Sequence, residues 1–221
     1  MNHDDGGAAS AHQACSSASV SDALDALGLQ GSIVGLRQVA DVDAVTGPAF
    51  TVRYEPVDEQ GGTVGDFLDD VPPGSVIVID NGGRTDCTVW GGIMTQAAQI
   101  RGIAGTIVHG ACRDTLVCRT SGYPVWSTGQ FMRTGKDRVR IAGVQEDLLV
   151  EGVCIRPGDL VVADADGVVV IPRDRAHEVL DRAIHIEDIE AAVAAAVHAG
   201  STLRQAREDL GYHTLQQQRD A

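Results

Sequence analysis

The chain has 221 residues, of which 43% are hydrophobic, so it is long enough to bury one large core. Its 31 acidic and 17 basic side chains give a formal net charge of −14, and this negative field argues against nucleic acid as a partner. The N-terminal residues lack the basic and apolar segments of a secretory signal, and no stretch reaches the roughly 18 apolar residues of a membrane-spanning helix, so we expect a soluble, cytoplasmic protein without a membrane partner.

The five cysteines are odd in number and no two of them have the C-x-x-C spacing of zinc or redox sites. We therefore expect reduced thiols that mostly fill the core. Cys112 is a candidate nucleophile because it precedes an arginine. Its nearest histidine, His109, lies three residues earlier, which on a strand places the two side chains on opposite faces.

For the N-terminal third we predict a tail, two helices and two strands. Residues 1–16 have no apolar period and predict a mobile tail. In "SVSDALDALGLQG", Ser19 or Ser21 is a candidate cap for a helix that ends at Gly28. The segment "VTGPAFTVRYEP" predicts a strand, and "TVGDFLDDVPPGSVIVIDNGG" predicts a short helix, a turn and a buried strand over residues 75–80.

The central segment alternates between helix and strand. A helix over "IMTQAAQIRG" follows a pair of glycines, and the apolar strand "GTIVHGA" leads into a short helix over "TLVCRTSG". The strand "YPVWSTG" comes next. Asp114 therefore lies where a strand ends and a helix begins.

The C-terminal third predicts a β-rich meander and a long helix. The segment "GVCIRPGDLVVADADGVVVIP" contains Asp166-Gly167 as a hairpin turn, and "RAHEVLDRAIHIEDIEAAVAAAVHAG" is an amphipathic helix that stops at Gly200. No repeat or linker divides the chain. We expect one α/β domain over residues 17–212, followed by a C-terminal tail over residues 213–221.

Adjacent side chains of opposite charge, Arg113 and Asp114, mark the junction after the central strand. Because the chain turns sharply there, both side chains could point into one crevice at the carboxyl edge of a sheet. The alternative is structural: Asp114 could cap the following helix, and Arg113 could pair with a surface carboxylate.

The glycine pair Gly91-Gly92 favours a binding site. Without side chains there, the first N–H groups of the next helix, those of Ile93 and Met94, are left uncovered, and such groups bind anions. An anion nest, a guanidinium and a carboxylate together suit a small carboxylate substrate that chelates a divalent metal. The sole lysine, Lys136, lies in a charged loop, which argues against imine chemistry.

These motifs resemble the RraA-like family, which includes the 4-hydroxy-4-methyl-2-oxoglutarate and 4-carboxy-4-hydroxy-2-oxoadipate aldolases. The resemblance runs from about residue 19 to residue 212 and is strongest in "VWGGIMTQAAQIRGIAGTIVHGACRD". It implies a layered α/β sandwich of the swivelling phosphohistidine-domain type, assembled as a homotrimer or hexamer with active sites between subunits. It also implies cleavage of 4-hydroxy-2-oxo acids to pyruvate with Mg²⁺ or Mn²⁺.

The resemblance assigns roles to particular positions. The family's substrate-binding arginine falls on Arg113, its metal-binding aspartate on Asp114, and the amides of its glycine-rich loop on Ile93 and Met94. Many aldolases of the family carry an acid at the position of Gly92, where it orders metal-bound water. Its absence here puts the proton relay and the aldol substrate in question.

A further acid in this family comes from the C-terminal helix of a neighbouring subunit. Glu190 corresponds to it most nearly and Glu187 is an alternative, although both could be ordinary charges on a solvated helix face. His109 stands where relatives often have aspartate, and a hydrogen-bonded histidine in the core or at a sheet edge is the favoured interpretation.

The resulting hypothesis is a divalent-metal-dependent carbon–carbon lyase that acts on a small 2-oxo acid. It would cleave a 4-hydroxy-2-oxo acid to pyruvate, decarboxylate oxaloacetate, or do both, through a metal-stabilised enolate. Two alternatives stay open. One is an enzyme of a biosynthetic pathway that uses enolate chemistry on another substrate, and the other is a non-catalytic binding protein like the family's ribonuclease regulators, which lack the aspartate found here as Asp114.

Overall fold

The computed structural model describes residues 15–57 and 62–215. Its α-helices are α1 (Ser17–Ala26), α2 (Gly92–Ile100), α3 (Thr115–Ser121), α4 (Ala176–His198) and α5 (Leu203–Asp209). Its strands are β1 (Ser32–Ile33), β2 (Arg37–Gln38), β3 (Val45–Pro56), β4 (Val76–Asp80), β5 (Thr88–Trp90), β6 (Gly105–Cys112), β7 (Val125–Gln130), β8 (Val139–Val144), β9 (Leu148–Val150), β10 (Val153–Ile155), β11 (Leu160–Ala163) and β12 (Val168–Ile171). Short 3₁₀ helices cover Asp66–Asp70, Arg173–Arg175 and Tyr212–Thr214.

One large mixed sheet organises the molecule. Its central strands β3, β4, β6 and β7 run parallel in that order, and β5 pairs in parallel with the end of β6. Antiparallel strands β11, β12 and β1 extend one edge, β2 closes the other, and β8 pairs with the far end of β3. The predicted α/β fold class is confirmed.

The parallel strands are buried on both faces, as their continuous apolar sequences require. On β4, Ile77 and Ile79 pack into one core cluster with Trp90. Val76 and Val78 point to the opposite face, into a second cluster that includes Trp126. Because helices and loops cover both faces, ligands are excluded from the faces and directed to the carboxyl edge of the sheet.

The N- and C-terminal helices form a third packed layer. α1 and α4 contact each other and cover β11 and β12, and their cluster includes Cys15 and Leu215. The packed residues therefore reach at least from residue 15 to residue 215, two to three residues beyond each predicted boundary. The remaining predicted tail residues, 1–14 and 216–221, lie outside the described residues.

Two local predictions need correction. α1 is capped by Ser16, whose Oγ accepts a hydrogen bond from the N–H of Ser19, and not by Ser19 or Ser21. The segment predicted as a short helix near residue 66 is a 3₁₀ helix. Both segments are helical as predicted, but the residue that caps α1 and the 3₁₀ geometry were not predicted. The predicted hairpin turn at Asp166-Gly167 is confirmed, because it joins the antiparallel strands β11 and β12, and the carboxylate of Asp164 accepts hydrogen bonds from the backbone of Asp166 and of Ser17.

Within the described residues, no helix has both the length and the apolar character needed to cross a membrane.

Candidate active site

The chain reverses direction directly after β6, at Asp114. Its backbone adopts the left-handed conformation, with φ 55° and ψ 37°, which aspartate tolerates better than most residues. Arg113 is fixed just before the turn, because its N–H donates to the carbonyl oxygen of Trp90 at 3.0 Å. The two side chains therefore lie on the same side of the junction, with Arg113 Nε 3.6 Å from Asp114 Oδ2.

The carboxylate of Asp114 does not cap the helix that follows it. α3 has no side-chain cap; instead, Asp114 Oδ2 accepts a hydrogen bond of 2.9 Å from the N–H of Gly92 in α2. This contact joins two elements that are far apart in sequence. The alternative that the Asp114 side chain caps α3 was therefore wrong, because the side chain binds the start of α2.

Glycines allow this close approach. A Cβ atom on Gly91 would stand 2.9 Å from Asp114 Oδ2 and 3.2 Å from Arg113 Cγ. A Cβ atom on Gly92 would stand 3.3 Å from both Asp114 Cβ and Val117 Cγ2. Val117 and Asp114 thus leave little space for a side chain at position 92.

The start of α2 presents free N–H groups. Gly91 precedes the helix in an extended conformation and supplies no side-chain cap. Within the part of the chain that the structure describes, no acceptor lies within hydrogen-bonding distance of the N–H groups of Ile93 and Met94. The positive end of the helix dipole adds to their preference for an anion.

These groups share a pocket of about 190 Å³. Arg113 and Asp114 line it with Gly91–Met94 and β5, and their side chains are 40% and 45% exposed. Among residues 15–57 and 62–215, no acceptor binds the two Nη groups of Arg113, and no donor reaches Asp114 Oδ1. A planar two-donor fork and an anionic oxygen are therefore available to a ligand.

The donor set suits a hard cation held by a single carboxylate. No group of three or more His, Cys, Asp or Glu side chains that could hold a metal occurs in the described residues, so a closed zinc-type site is not formed there. Mg²⁺ and Mn²⁺ prefer oxygen ligands, and Mg²⁺ is commonly bound by one or two carboxylates together with waters and substrate oxygens. Asp114 Oδ1 fits that pattern.

The two candidate acids on α4 lie elsewhere in the chain. Glu187 accepts a hydrogen bond of 2.7 Å from the N–H of Ser16, which explains it as a structural residue. Glu190 accepts a hydrogen bond of 3.4 Å from Tyr212 Oη and lines a separate pocket between α4 and α5. Within one chain, the structure does not bring Glu190 to Arg113 and Asp114.

His109 is buried and its ring forms two side-chain hydrogen bonds, which agrees with the interpretation favoured from the sequence. Its Nδ1 lies 2.8 Å from Asp80 Oδ1 and its Nε2 lies 3.0 Å from Glu151 Oε1. The hydrogen bond to Asp80 raises the pKa of His109, burial opposes this rise, and the bond to Glu151 adds to it. The histidine thus ties the hairpin β9–β10 to the carboxyl ends of β4 and β6.

The thiols do not form a nucleophilic site. Four of the five free cysteines are buried and Cys154 is exposed. Burial raises the pKa of Cys112, whose Sγ lies 3.4 Å from Ser127 Oγ, and burial likewise raises the pKa of Cys118. A thiol nucleophile needs a lowered pKa, so these groups fill the core.

Five of the described pocket residues were not predicted from the sequence, namely Val64, Thr88, Val89, Trp90 and Thr134. Val64, Thr88 and Thr134 line the pocket together with the predicted residues. Thr88 and Thr134 meet through an isolated β-bridge, a contact between segments 46 residues apart for which the sequence carries no local signal. In the sequence, threonine and valine residues at these positions cannot be distinguished from ordinary surface or strand residues.

Comparison with known proteins places these features in context. A family model described as RraA-like, Aldolase/RraA, matches residues 17–170. Protein DlpA of Legionella pneumophila is 45% identical over 201 residues, which is 90% of this chain but 33% of DlpA, so the chain spans about a third of that relative's length.

Two further relatives cover more of their own length. A protein of Halalkalibacterium halodurans named "Putative 4-hydroxy-4-methyl-2-oxoglutarate aldolase" is 37% identical over 74% of this chain and 76% of its own length. The crystal structure of Streptomyces coelicolor RraAS2, described as an unusual member of the RNase ES inhibitor RraA protein family, superposes with a TM-score of 0.77 at 31% identity, over 86% of this chain and 97% of RraAS2.

Proposed function

The chain belongs to the RraA-like family, and from this premise and the geometry of its pocket we propose that it is a divalent-metal-dependent carbon–carbon lyase acting on a small 2-oxo acid. The reaction is retro-aldol cleavage of a 4-hydroxy-2-oxo acid to pyruvate, decarboxylation of oxaloacetate, or both. Relatives named as 4-hydroxy-4-methyl-2-oxoglutarate aldolases support the reaction type.

One observation carries the proposal: three kinds of group that recognise a 2-oxo acid converge in a single pocket. They are the N–H groups of Ile93 and Met94, the Nη fork of Arg113 and Oδ1 of Asp114, and none of them has a hydrogen-bond partner among residues 15–57 and 62–215. A 2-oxo acid carries a carboxylate beside a carbonyl oxygen, so it can engage a helix N-terminus and a guanidinium at once.

Each residue then has a distinct task. The amides of Ile93 and Met94 bind the substrate carboxylate, and Arg113 binds the 2-oxo oxygen, where negative charge develops when the enolate of pyruvate forms. Asp114 is the residue that would hold Mg²⁺ or Mn²⁺, and its hydrogen bond to the N–H of Gly92 would keep the carboxylate oriented. The bound ion supplies Lewis acidity toward the 2-oxo acid.

The retro-aldol step also needs a base for the C4 hydroxyl. The base removes the proton of the C4 hydroxyl as the C3–C4 bond breaks, and C4 becomes a carbonyl carbon. The electrons of the broken bond pass to the pyruvate enolate, whose C3 is protonated afterwards. Of the described residues, eleven line the pocket, and Asp114 is the one acid among these. Because Gly92 supplies no acid, we assign the base to Glu190 of the partner subunit.

Exposed apolar side chains beside the pocket support such an assembly. Ile93, Leu116 and Met132, here called the apolar rim, are 84%, 71% and 75% exposed. The α4–α5 surface that carries Glu190 also exposes Val197 and Leu203. A contact between the rim of one copy and the α4–α5 surface of the next is head-to-tail, and such contacts close into rings such as a trimer, two of which make a hexamer.

The direct test is a pyruvate-release assay with 4-hydroxy-4-methyl-2-oxoglutarate and with oxaloacetate, each with Mg²⁺, with Mn²⁺ and with excess chelator. We expect release with either ion and loss with chelator. Pyruvate formation that chelator does not affect would overturn the metal role, and no turnover of any 2-oxo or 4-hydroxy-2-oxo acid would overturn the lyase assignment.

Two alternative functions remain open to the same assays. Since Gly92 replaces an acid, the enolate chemistry could serve a biosynthetic pathway on another substrate, which pyruvate exchange without aldol cleavage would indicate. The likeness to RraAS2 favours a ribonuclease-binding role as the other candidate. Tight binding to an RNase E-type ribonuclease by a chain that lacks metal-dependent activity would establish it.

A further inference from the structure

Arg113 and Asp114 line a second pocket in addition to the one described above, which is called the first pocket from here on. The second pocket has a volume of about 290 Å³. Its other lining residues, among those that the structure describes, are Cys112, Thr115, Gln130, Phe131 and Met132. Because both pockets are lined by Arg113 and Asp114, they adjoin at the two residues to which we assign the 2-oxo oxygen and the metal.

The second pocket is built where the ends of β6 and β7 meet the start of α3. Cys112 and Gln130 lie opposite each other in the parallel pairing of the two strands, and the N–H of Phe131 donates to the carbonyl oxygen of Cys112 at 3.0 Å. Thr115 is the first residue of α3. The strand pairing and the helix start therefore hold Gln130 and Thr115 beside the junction that carries Arg113.

The second pocket offers hydrogen-bond donors and positive charge. No residue in the described ranges binds the hydroxyl group of Thr115, the side-chain amide of Gln130 or the two Nη groups of Arg113. The guanidinium carbon of Arg133 lies 5.6 Å from the centre of the Phe131 ring, so a further cation stands next to the lining. Donors beside positive charge favour an acceptor that is itself negative.

The reacting bond of a 4-hydroxy-2-oxo acid falls where the two pockets adjoin. Ile93 and Met94, whose N–H groups we assign to the C1 carboxylate, line the first pocket and not the second. With the 2-oxo oxygen at Arg113, the C3–C4 bond lies beside Arg113 and Asp114, and the substituent on C4 extends into the second pocket. Cleavage then leaves pyruvate in the first pocket and the second oxo product in the other.

The partner subunit adds both signs of charge to the second pocket. Met132 lines this pocket and belongs to the apolar rim, so the α4–α5 surface of the neighbour covers it in the proposed assembly. That surface carries Glu190, Arg207 and His198. Since an acid and a cation arrive together, we assign the choice between charged and uncharged substituents to the donors of the chain that holds Arg113.

We propose that Thr115 and Gln130 form a subsite for the C4 substituent, and that this subsite selects a substituent that ends in a carboxylate over one that ends in an alkyl group. One Nη group of Arg113 binds the 2-oxo oxygen, and the other is left for the C4 substituent. The inference rests on the proposed function, because that function places the 2-oxo acid in the first pocket.

The first test measures binding, so that it does not depend on turnover. Dissociation constants are determined by calorimetry, in the presence of Mg²⁺, for 2-oxoglutarate and for 2-oxopentanoate, which has a methyl group in place of the distal carboxylate. Neither compound carries a C4 hydroxyl, so neither can be cleaved. We expect 2-oxoglutarate to bind at least about tenfold more tightly. Equal affinity, tighter binding of 2-oxopentanoate, or no binding of either compound would overturn the inference.

A change of charge at Gln130 tests the subsite itself. Gln130→Glu replaces the donating amide by an anion of the same shape, and Gln96→Glu is the matched control, since Gln96 is exposed and lines neither pocket. We expect the ratio of the two dissociation constants to move by at least about tenfold toward 2-oxopentanoate in Gln130→Glu relative to Gln96→Glu. An unchanged ratio would overturn the assignment of Gln130.

The hydroxyl group of Thr115 is tested by an isosteric change. Thr115→Val removes the donor and keeps the shape of the side chain, and Thr120→Val is the control on the same helix, because Thr120 lines neither pocket. We expect the same ratio to move about fivefold toward 2-oxopentanoate in Thr115→Val relative to Thr120→Val, as for loss of one hydrogen bond. A ratio equal to that of the control would overturn the assignment of Thr115.

A further measurement separates this inference from the proposed function. Exchange of the pyruvate methyl hydrogens with deuterium, followed by NMR, reports enolate formation and involves no C4 substituent. Exchange without a preference for 2-oxoglutarate would remove the inference and leave the lyase. A preference for 2-oxoglutarate that depends on Gln130, in a protein that does not catalyse exchange, would remove the lyase and leave the subsite.

Discussion

Asp114 Oδ2 is held by the backbone N–H of Gly92 at 2.9 Å, so a residue at the end of β6 fixes the start of α2. This single contact orients the carboxylate, leaves Oδ1 free, and brings the free amides of α2 next to Arg113. Gly92 is therefore a positioning residue through its backbone, whatever side chain relatives carry at that place.

Replacing Asp114 by Asn should separate fold from chemistry. The amide oxygen of Asn can still accept from Gly92, and Asn tolerates the left-handed backbone at this position, so we expect Tm to change by only a few degrees. The second anionic oxygen is lost, and metal-dependent activity should disappear.

The measurement is a thermal melt of the wild-type and Asp114→Asn proteins with and without Mn²⁺ and pyruvate, together with oxaloacetate decarboxylation. Stabilisation by Mn²⁺ should occur in the wild type alone, because a ligand stabilises only the folded state that binds it. A variant that melts much earlier but keeps Mn²⁺-dependent activity would show that Asp114 is purely structural.

Replacing Arg113 by Lys should impair catalysis although the charge is kept. The guanidinium presents two parallel Nη donors that no acceptor of the described residues binds, and an ammonium group cannot reproduce that fork. We expect kcat/KM for pyruvate-forming reactions to fall on the order of 10²-fold, as for loss of one donor to a developing oxyanion. Steady-state kinetics decide, and an unchanged kcat/KM would assign Arg113 to a surface role.

Replacing Gly91 by Ala tests the close packing around the carboxylate. The backbone of Gly91 is extended, with φ −165°, so alanine is conformationally acceptable and only its Cβ, 2.9 Å from Asp114 Oδ2, causes a conflict. A displacement of Asp114 by about 1 Å can cost on the order of 10²-fold in rate.

The matched control for Gly91→Ala is Gly167→Ala, since a Cβ at Gly167 meets no atom within 4 Å. We expect normal melting for both variants and lost activity for Gly91→Ala alone. Full activity of Gly91→Ala would mean that Asp114 can shift without consequence, which the metal role does not allow.

Helices α1 to α4 and the central strands β3, β4, β6 and β7 followed from the sequence because each has a strong local pattern. Strands β1, β2, β5 and β9 have only two or three residues each and, like β8, were not predicted. The continuous apolar run of β6 and the glycine that ends α4 are local signals. The position of Arg113 and Asp114 at a strand-to-helix junction was equally readable. The local sequence does not show which residue a polar side chain will bind. Asp114 accepts a hydrogen bond from the N–H of Gly92, and Glu187 accepts one from the N–H of Ser16, and the two members of each pair are far apart in the chain.

His109 makes part of the stability depend on pH. Its raised pKa means that the folded state binds the proton more tightly than the unfolded state, where a histidine titrates near about 6.5. The stabilisation is therefore fully present below that value and is lost as pH rises through the higher pKa of the folded protein. Glu151→Gln should lower the pKa of His109 and reduce this stabilisation.

The predicted pH dependence is checked by urea unfolding of the wild-type and Glu151→Gln proteins at several pH values. The pKa of His109 is measured by NMR in both proteins. The difference in unfolding free energy should be largest near pH 6 and should shrink as pH rises through the folded-state pKa. A difference that does not vary with pH would show that Glu151 acts without the charge of His109.

The last prediction concerns the assembly that supplies Glu190. If the apolar rim packs against the α4–α5 surface of a neighbour, a charge placed in the rim should disrupt the assembly, because an unpaired buried charge is costly. We expect light scattering to give three or six times 23.1 kDa for the wild type and a smaller species for Leu116→Asp, with pyruvate release from a 4-hydroxy-2-oxo acid lost in parallel. Val34→Asp is the control, since Val34 is 74% exposed and belongs to neither surface. A wild type that is monomeric at micromolar concentration yet active would show that one chain holds its own base, and Glu190 would then have no part in the reaction.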